Sequence, residues 1–319
     1  MTKSVRVFLA GATGVVGRRV VPLLVKEGHE VVALTSRPEA VAGLRAAGAE
    51  AVVADVYDAA ALRGAVRDAA PDVVMHQLTD LRRRDLAANA RIRTEGTRNL
   101  VAAALEAGVR RIVAQSIAWA YGPGEGPAAE AEPLDLDAAP PRDATVRGVA
   151  ALEAAVRELP EWVVLRYGML YGPDTWYHPG GLMAREAHAG RLAAGADVTS
   201  FVQVDDAASA AVAALGWPVG AVNVCDDEPA PASDWAPAFC AAIGAPEPPH
   251  AVPEPSRAAP EPVRAVPQPS GATPEPSRAA SEPSHAARTP WARGASNRYA
   301  RDRLGWVPAH PTWRGAFGA

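Results

Sequence analysis

The chain has 319 residues, 49% of them hydrophobic, and a net charge of -4, enough to bury a sizeable core in one large or two interlocked domains. That charge gives no support to nucleic acid as the main partner, and no uncharged apolar run of about 18 residues offers a membrane span. The opening lacks the charged, apolar and small segments of a signal peptide, so the expected setting is cytoplasmic. The two cysteines, Cys225 and Cys240, have neither metal-ligand spacing nor nucleophile context, and no metal site is expected.

Residues 5–10 form a β-branched apolar run that reads as a strand buried on both faces, followed by Gly11, Gly14 and Gly17 at three-residue spacing and then a helical pattern. A strand, a bare turn and a helix in that order present backbone N–H groups to a pyrophosphate. A side chain at Gly11 or Gly14 would block that approach, and Gly17 lets the helix lie against the sheet. The second strand ends in Thr35, Ser36 and Arg37, where dinucleotide folds select their cofactor. An acidic residue there would bind the ribose 2′-hydroxyl of NAD; an arginine pairs with a 2′-phosphate, so NADP is preferred over NAD.

A third strand ends at Asp55 and Val56, where a carboxylate meets adenine or caps the next helix. A fourth ends at His76, Gln77 and Leu78, with His76 read as a satisfied structural histidine. An amphipathic helix over about 85–107 stops at Gly108, its arginines, Arg93 among them, forming mainly a solvated face. A fifth strand runs through Ser116 and Ile117 toward Trp119 and Tyr121. A helical stretch over 144–159 then precedes a sixth strand ending at Tyr167. The alternation predicts an α/β fold with a doubly wound parallel sheet.

In the second half, residues 172–181 form a polar and aromatic loop suited to substrate contacts, with Trp176 and Tyr177 able to stack on a planar or sugar substrate. Asp206 reads as the cap of an alanine-rich helix, and residues 221–225 as a further strand. Residues 253–287 are five proline-rich seven-residue units within a low-complexity insertion over 246–292. Recurrent proline forbids a coiled coil, so the segment is expected to loop out and leave the fold unaffected.

The ordered series GATGVVG, Asp55-Val56, EGTRNL, SIAWAYGP, LRYGMLYGP, FVQVDD and the late Ser296-Asn297 through Leu304-Gly305-Trp306 resembles the extended short-chain dehydrogenase/reductases, the NAD-dependent epimerase/dehydratase family. The resemblance implies a Rossmann domain over 1–171, with 201–225 returning to it. It also implies smaller substrate-binding segments over 172–319, a small-molecule substrate in the cleft between them, and a homodimer or monomer. The cofactor set that it implies is Gly11, Thr13, Gly14, Val15, Val16, Gly17, Ser36, Arg37, Asp55, Val56, Gln77, Leu78, Ser116 and Tyr167.

The same resemblance implies a Ser or Thr and a Tyr-x-x-x-Lys pair for acid/base work. Aligned on Tyr121-Gly122 and Glu153, those positions hold Ile117, Thr145 and Val149, and no tyrosine is followed four residues later by lysine. Arg93 also stands where the family has Asn. A positioned acid or base contributes roughly 10²–10⁴ in rate, so proton handling must change. Tyr121, Tyr167, Tyr177 and His178 are the candidate replacements. Three readings stay open: an atypical oxidoreductase or epimerase-like enzyme, a dinucleotide-binding sensor without turnover, and an enzyme for a non-redox or enone-reducing reaction that needs only positioning.

Overall fold

The computed structural model describes residues 4–81, 85–250 and 287–318. Strands β1 (Arg6–Ala10), β2 (Glu30–Thr35), β3 (Glu50–Val53), β4 (Val73–His76), β5 (Arg111–Ile117) and β6 (Glu161–Tyr167) alternate with helices α1 (Gly17–Lys26), α2 (Val41–Ala46), α3 (Ala59–Ala69), α4 (Leu86–Arg91), α5 (Thr97–Glu106) and α6 (Arg142–Val156). Further along come β7 (Met169–Tyr171), α7 (Leu182–His188), β8 (Val198–Thr199), β9 (Phe201–Gln203), α8 (Val204–Ala213), β10 (Gly220–Val224), β11 (Ala230–Pro231), α9 (Ala232–Ile243) and α10 (Arg298–Asp302).

Seven of these strands form one parallel sheet in the order β10-β6-β5-β4-β1-β2-β3. Successive side chains of a strand point to opposite faces, and both faces here are apolar because helices cover both. Val7 and Leu9 of β1 pack with Val20, Leu24 and Ala211 of α1 and α8, while Phe8 and Ala10 pack with Leu62, Leu100 and Val156 of α3, α5 and α6. The fold is a doubly wound Rossmann α/β sheet. After β1 the chain builds outward to β2 and β3, then crosses back to β4, so the direction of winding reverses between β1 and β4. A crevice opens at the carboxyl ends of strands at such a reversal.

The amphipathic stretch 85–107 is one continuous helical run made of α4, a π-helical turn over Ile92–Gly96, and α5. Asp55 does not cap α3. Asp58 does, accepting hydrogen bonds from Ala60 N and Ala61 N at 3.1 and 3.0 Å, while Asp55 accepts from Tyr57 N. Asp206 is likewise not a cap: the side-chain oxygen of Gln203 takes the N–H groups at the start of α8. Asp206 instead is buried and accepts from Ala309 N and His310 N, both at 2.9 Å, and so fastens the last residues to α8. The returning residues 201–225 supply α8 and β10 to the sheet and its cover.

A second core gathers Tyr171, Tyr177, Phe201, Trp235, Phe239, Trp313 and Phe317, with most ring pairs edge to face. Most of the proline-rich insertion, residues 251–286, lies outside the described residues. Its flanks are tied to one loop: Ala194 N donates to Pro249 O at 2.8 Å, and Thr289 N to Asp197 at 2.7 Å. Among the described residues, no helix is long and apolar enough to cross a membrane.

Candidate functional site

A cleft of about 1320 Å³ opens over the carboxyl ends of β1, β2, β4, β5 and β6. Its first wall is the turn after β1. Gly11, with φ of 95°, lies against the exit of β4: a Cβ there would collide with Gln77 O, and one on Gly17 with Gly11 O. Backbone meeting backbone is thus by itself enough to require glycine at Gly11, a constraint that the sequence reading did not name. Gly14 behaves similarly, since its Cβ would lie 3.1 Å from Gly11 O. The turn so compacted leaves Gly11, Thr13, Gly14, Val15 and Val16 on the cleft wall, whereas Gly17 is packed beneath it. No side chain caps the N-terminus of α1, and no acidic residue sits in its first turn. Its orphan N–H groups and positive dipole end fit a pyrophosphate.

The wall continues through Ser36 and Arg37, then Asp55 and Val56, then Gln77 and Leu78. Thr35 Oγ1 accepts from Arg37 N at 3.1 Å, which fixes the turn at the end of β2. At the floor, Tyr167 Oη donates to Gln77 Oε1 at 3.4 Å, while Gln77 Nε2 is buried without a partner among the described residues. An orphaned buried amide costs about 1–3 kcal/mol unless a ligand satisfies it, and a nicotinamide carboxamide has the acceptor that it lacks. Thus the residues present fit a dinucleotide from its phosphates to its amide.

The acid/base candidates separate sharply. Tyr121 is a correction: it does not face the cleft. Its hydroxyl is buried, donates to Asn223 Oδ1 at 2.7 Å and accepts from Arg166 at 2.8 Å, and burial pushes the phenol upward. Tyr177 is a second correction, being a core ring 5.2 Å from Phe201 and 5.3 Å from Phe239. Tyr167 does line the cleft, but burial pushes its phenol upward too, so it is a protonated donor and a poor base. His178 lines the cleft from the 172–181 loop and accepts from Gly180 N through Nδ1 at 3.2 Å. That bond leaves Nε2 to carry the proton of the neutral ring.

Ile117 and Thr145 also line the cleft, while Val149 is buried away from it. Ser116 lines it as well, yet its hydroxyl is committed to Glu153 Oε1 at 2.9 Å. His76 is internal: Nδ1 accepts from Leu78 N at 3.2 Å and Nε2 faces Thr97 Oγ1 at 2.8 Å. Burial first, and then the charge of Arg93, lower His76 to about 4. Its folded value lies below its unfolded one, so its contribution is complete above the unfolded value near 6.5 and is lost as pH falls toward about 4. From pH 7.5 to 5, urea denaturation is expected to show about 2 kcal/mol lost in the wild type and not in His76→Asn.

Residues that the sequence reading left aside complete the site. Arg93, assigned there to a solvated face, is a further correction: it is only 6% exposed and lines the cleft. Its helical spacing with Asn89, Gly96, Thr97 and Leu100, all small, polar or apolar and inward, carried that signal. Arg18 and Arg19 of α1 hold the 172–181 loop across the turn through Asp174, at 3.1 and 3.5 Å, with Arg19 also 2.7 Å from Asp205. A side pocket of about 220 Å³ shares Trp119, Gly168 and Met169 with the cleft and is closed by Ser200, Trp291 and Gly294. Trp291 is held by the Arg142 guanidinium, 3.8 Å from its ring centre. Mainly apolar and bearing two tryptophans, this side pocket suits an aromatic ring.

Comparison with known proteins agrees with this geometry. The model of the NAD dependent epimerase/dehydratase family matches residues 7–225. A 3-diazoavenalumate denitrifying reductase from Streptomyces sp is 44% identical over 98% of this chain and 99% of its own. Among solved structures, the Bordetella bronchiseptica enzyme WbmG, in complex with NAD and UDP, superposes with a TM-score of 0.72 at 21% identity, covering 99% of this chain and 93% of that one. The UDP-Glc/GlcNAc 4-epimerase of Campylobacter jejuni gives 0.71 at 18% identity, covering 99% and 97%.

Proposed function

From the premise that the chain belongs to the NAD-dependent epimerase/dehydratase family, we propose that this NAD-dependent enzyme is a reductase that removes a diazo group from an aromatic acid. The observation that carries the reading is the cleft floor: Ile117 and Thr145 stand beside Tyr167, and the Ser116 hydroxyl is already bound to Glu153. Reduction of a ketone at such a floor would lack the tyrosine-lysine pair, and the one phenol on it, Tyr167, already donates to Gln77 Oε1. Reduction of an aryl diazonium needs no proton donor.

A bound reduced nicotinamide supplies a hydride. The hydride pair forms a C–H bond at the aromatic carbon, the C–N bond breaks, its electrons neutralise the diazonium, and N₂ leaves; no proton enters or departs. The residues here act by position. With the cofactor bound, the α1 turn would hold the phosphates and Gln77 Nε2 would orient the amide, while Tyr167 closes the floor. Trp119 and Trp291 would hold the substrate ring in the side pocket, and Arg18 and Arg19 fix the 172–181 loop at the edge of the cleft. Holding the reacting carbons together is worth about 7–11 kcal/mol of barrier in well-oriented systems, ample without a proton relay. The resemblance of the reading to the denitrifying reductase, at 44% identity across both chains, supports the same chemical class. Arg37 supports NADPH as the hydride source.

The test is direct. The purified protein with C4-deuterated NADPH and a carboxylated aryl diazonium is expected to release one N₂ per NADPH oxidised and to place one deuterium on the vacated carbon, at equal rates in H₂O and D₂O. Hydrogen drawn from solvent at that carbon, or no oxidation above a boiled control, overturns it.

A further inference from the structure

Among the described residues four arginine side chains are nearly enclosed, and three have a carboxylate. Arg166 meets Glu153 at 2.7 Å, Arg142 meets Asp135 at 3.0 Å, and Arg293 pairs with Glu132. Arg93 is the fourth. It sits on the π-helical turn Ile92–Gly96, lines the cleft, and takes neither ion pair nor side-chain hydrogen bond from the described residues. Its stem lies against α6 at Gly148, where a Cβ would stand 3.5 Å from Arg93 Cδ, between Thr145 and Val149 in sequence. The guanidinium thus lines the same cleft as Ile117 and Thr145, with its stem against the helix that carries Thr145.

A buried charge without a partner costs several kcal/mol, and a fork of five donors matches the two oxygens of an anion. Burial lowers Arg93 to about 10, still fully cationic at neutral pH. A π-turn interrupts the regular α-helix at the segment bearing this residue, as π-turns do at functional sites. Resting on the reductase reading, we propose that Arg93 is the anchor for an anionic oxygen group of the substrate, a carboxylate or phenolate, and sets specificity for aromatic acids over their neutral analogues. A cationic diazonium could not itself face this arginine, so the contact also orients the ring with the leaving group turned away.

Calorimetry on the NADP⁺-loaded protein tests this apart from turnover, using trans-cinnamate as the carboxylate probe, p-nitrophenolate as the phenolate probe and cinnamamide as the neutral control. At least one anion is expected to bind, and to bind at least tenfold more tightly than cinnamamide. The anion that binds identifies the group. Arg93→Gln is expected to lose that preference while NADP⁺ affinity stays within twofold, and Arg93→Lys to restore part of it, keeping the charge without the fork. Equal affinity for charged and neutral probes overturns the proposal. So does a tenfold loss of NADP⁺ affinity in Arg93→Gln, which would assign the cation to the cofactor. Should Arg93→Gln unfold, the Arg93→Lys affinities decide: an unchanged anion preference in that variant overturns the bidentate anchor. Because no step here consumes NADPH, failure of the diazonium assay leaves this outcome readable.

Discussion

Glu153→Ala is expected to destabilise the protein by about 3–5 kcal/mol, with loss of the cooperative thermal transition at physiological temperature. Glu153 is 1% exposed and Arg166 3%, and the pair is bidentate, with Arg166 Nε and Nη2 donating at 2.9 and 2.7 Å. The carboxylate also accepts from Ser116 and from Arg157 at 3.1 Å, so one side chain of α6 joins β5, β6 and its own last turn. Its removal leaves the Arg166 charge among Tyr121 Oη and Glu130 O, two neutral acceptors. Removing both partners should be gentler: Glu153→Leu with Arg166→Met is expected to recover more than half of the loss, because the penalty is an uncompensated charge more than a lost attraction. Denaturant curves of the two singles and the double measure this. Additive losses would show that packing, not charge, dominates. The double variant should still bind NADPH, since none of the four groups of the network other than Ser116 lines the cleft.

That network explains which parts of the site were legible in the sequence. The doubly wound parallel sheet and the bare glycine turn after its first strand are written in local patterns: buried β-branched runs, glycines at fixed spacing, and helices between them. Side-chain fates set by distant partners are not. Tyr121 stands near the right place after β5 for a cleft residue, but its hydroxyl is taken by Asn223, 102 residues away. Tyr177 lies in a loop of polar and glycine residues, yet its ring is drawn into a core whose other members come from as far as Phe317. Asp206 sits where a cap belongs, and the glutamine three residues earlier does the capping while the carboxylate holds His310. Arg93 is the converse case. Its charge argued for solvent, but its helical spacing with Asn89 and Gly96 argued for the inside, and the spacing decided.

Arg37→Asp is expected to reverse cofactor choice, lowering NADPH affinity about a hundredfold, about 2.7 kcal/mol, while NADH affinity stays equal or improves. The cause is local. β2 ends in Thr35, whose hydroxyl accepts the Arg37 N–H and holds the turn so that Ser36 and Arg37 lie on the cleft wall where the adenosine ribose of a dinucleotide belongs. The Arg37 side chain has no ion pair among the described residues, so its charge is available to a 2′-phosphate. A charge-assisted bond to phosphate is worth about 1.5–3 kcal/mol, which is what Arg37→Ala should forfeit, roughly a tenfold weakening or more. Aspartate adds repulsion of the phosphate and, with no phosphate present, an acceptor for the ribose hydroxyl, so the same change that expels NADPH can favour NADH. Fluorescence titration of the two reduced nucleotides against wild type, Arg37→Ala and Arg37→Asp reads each effect separately. A wild type that prefers NADH, or an Arg37→Ala whose NADPH affinity moves by less than twofold, would remove Arg37 from cofactor selection. Because the pyrophosphate is proposed to rest on the backbone of the α1 turn, both variants should keep the binding of the shared part of the nucleotide, and a loss of NADH together with NADPH would mean instead that the end of β2 had unravelled.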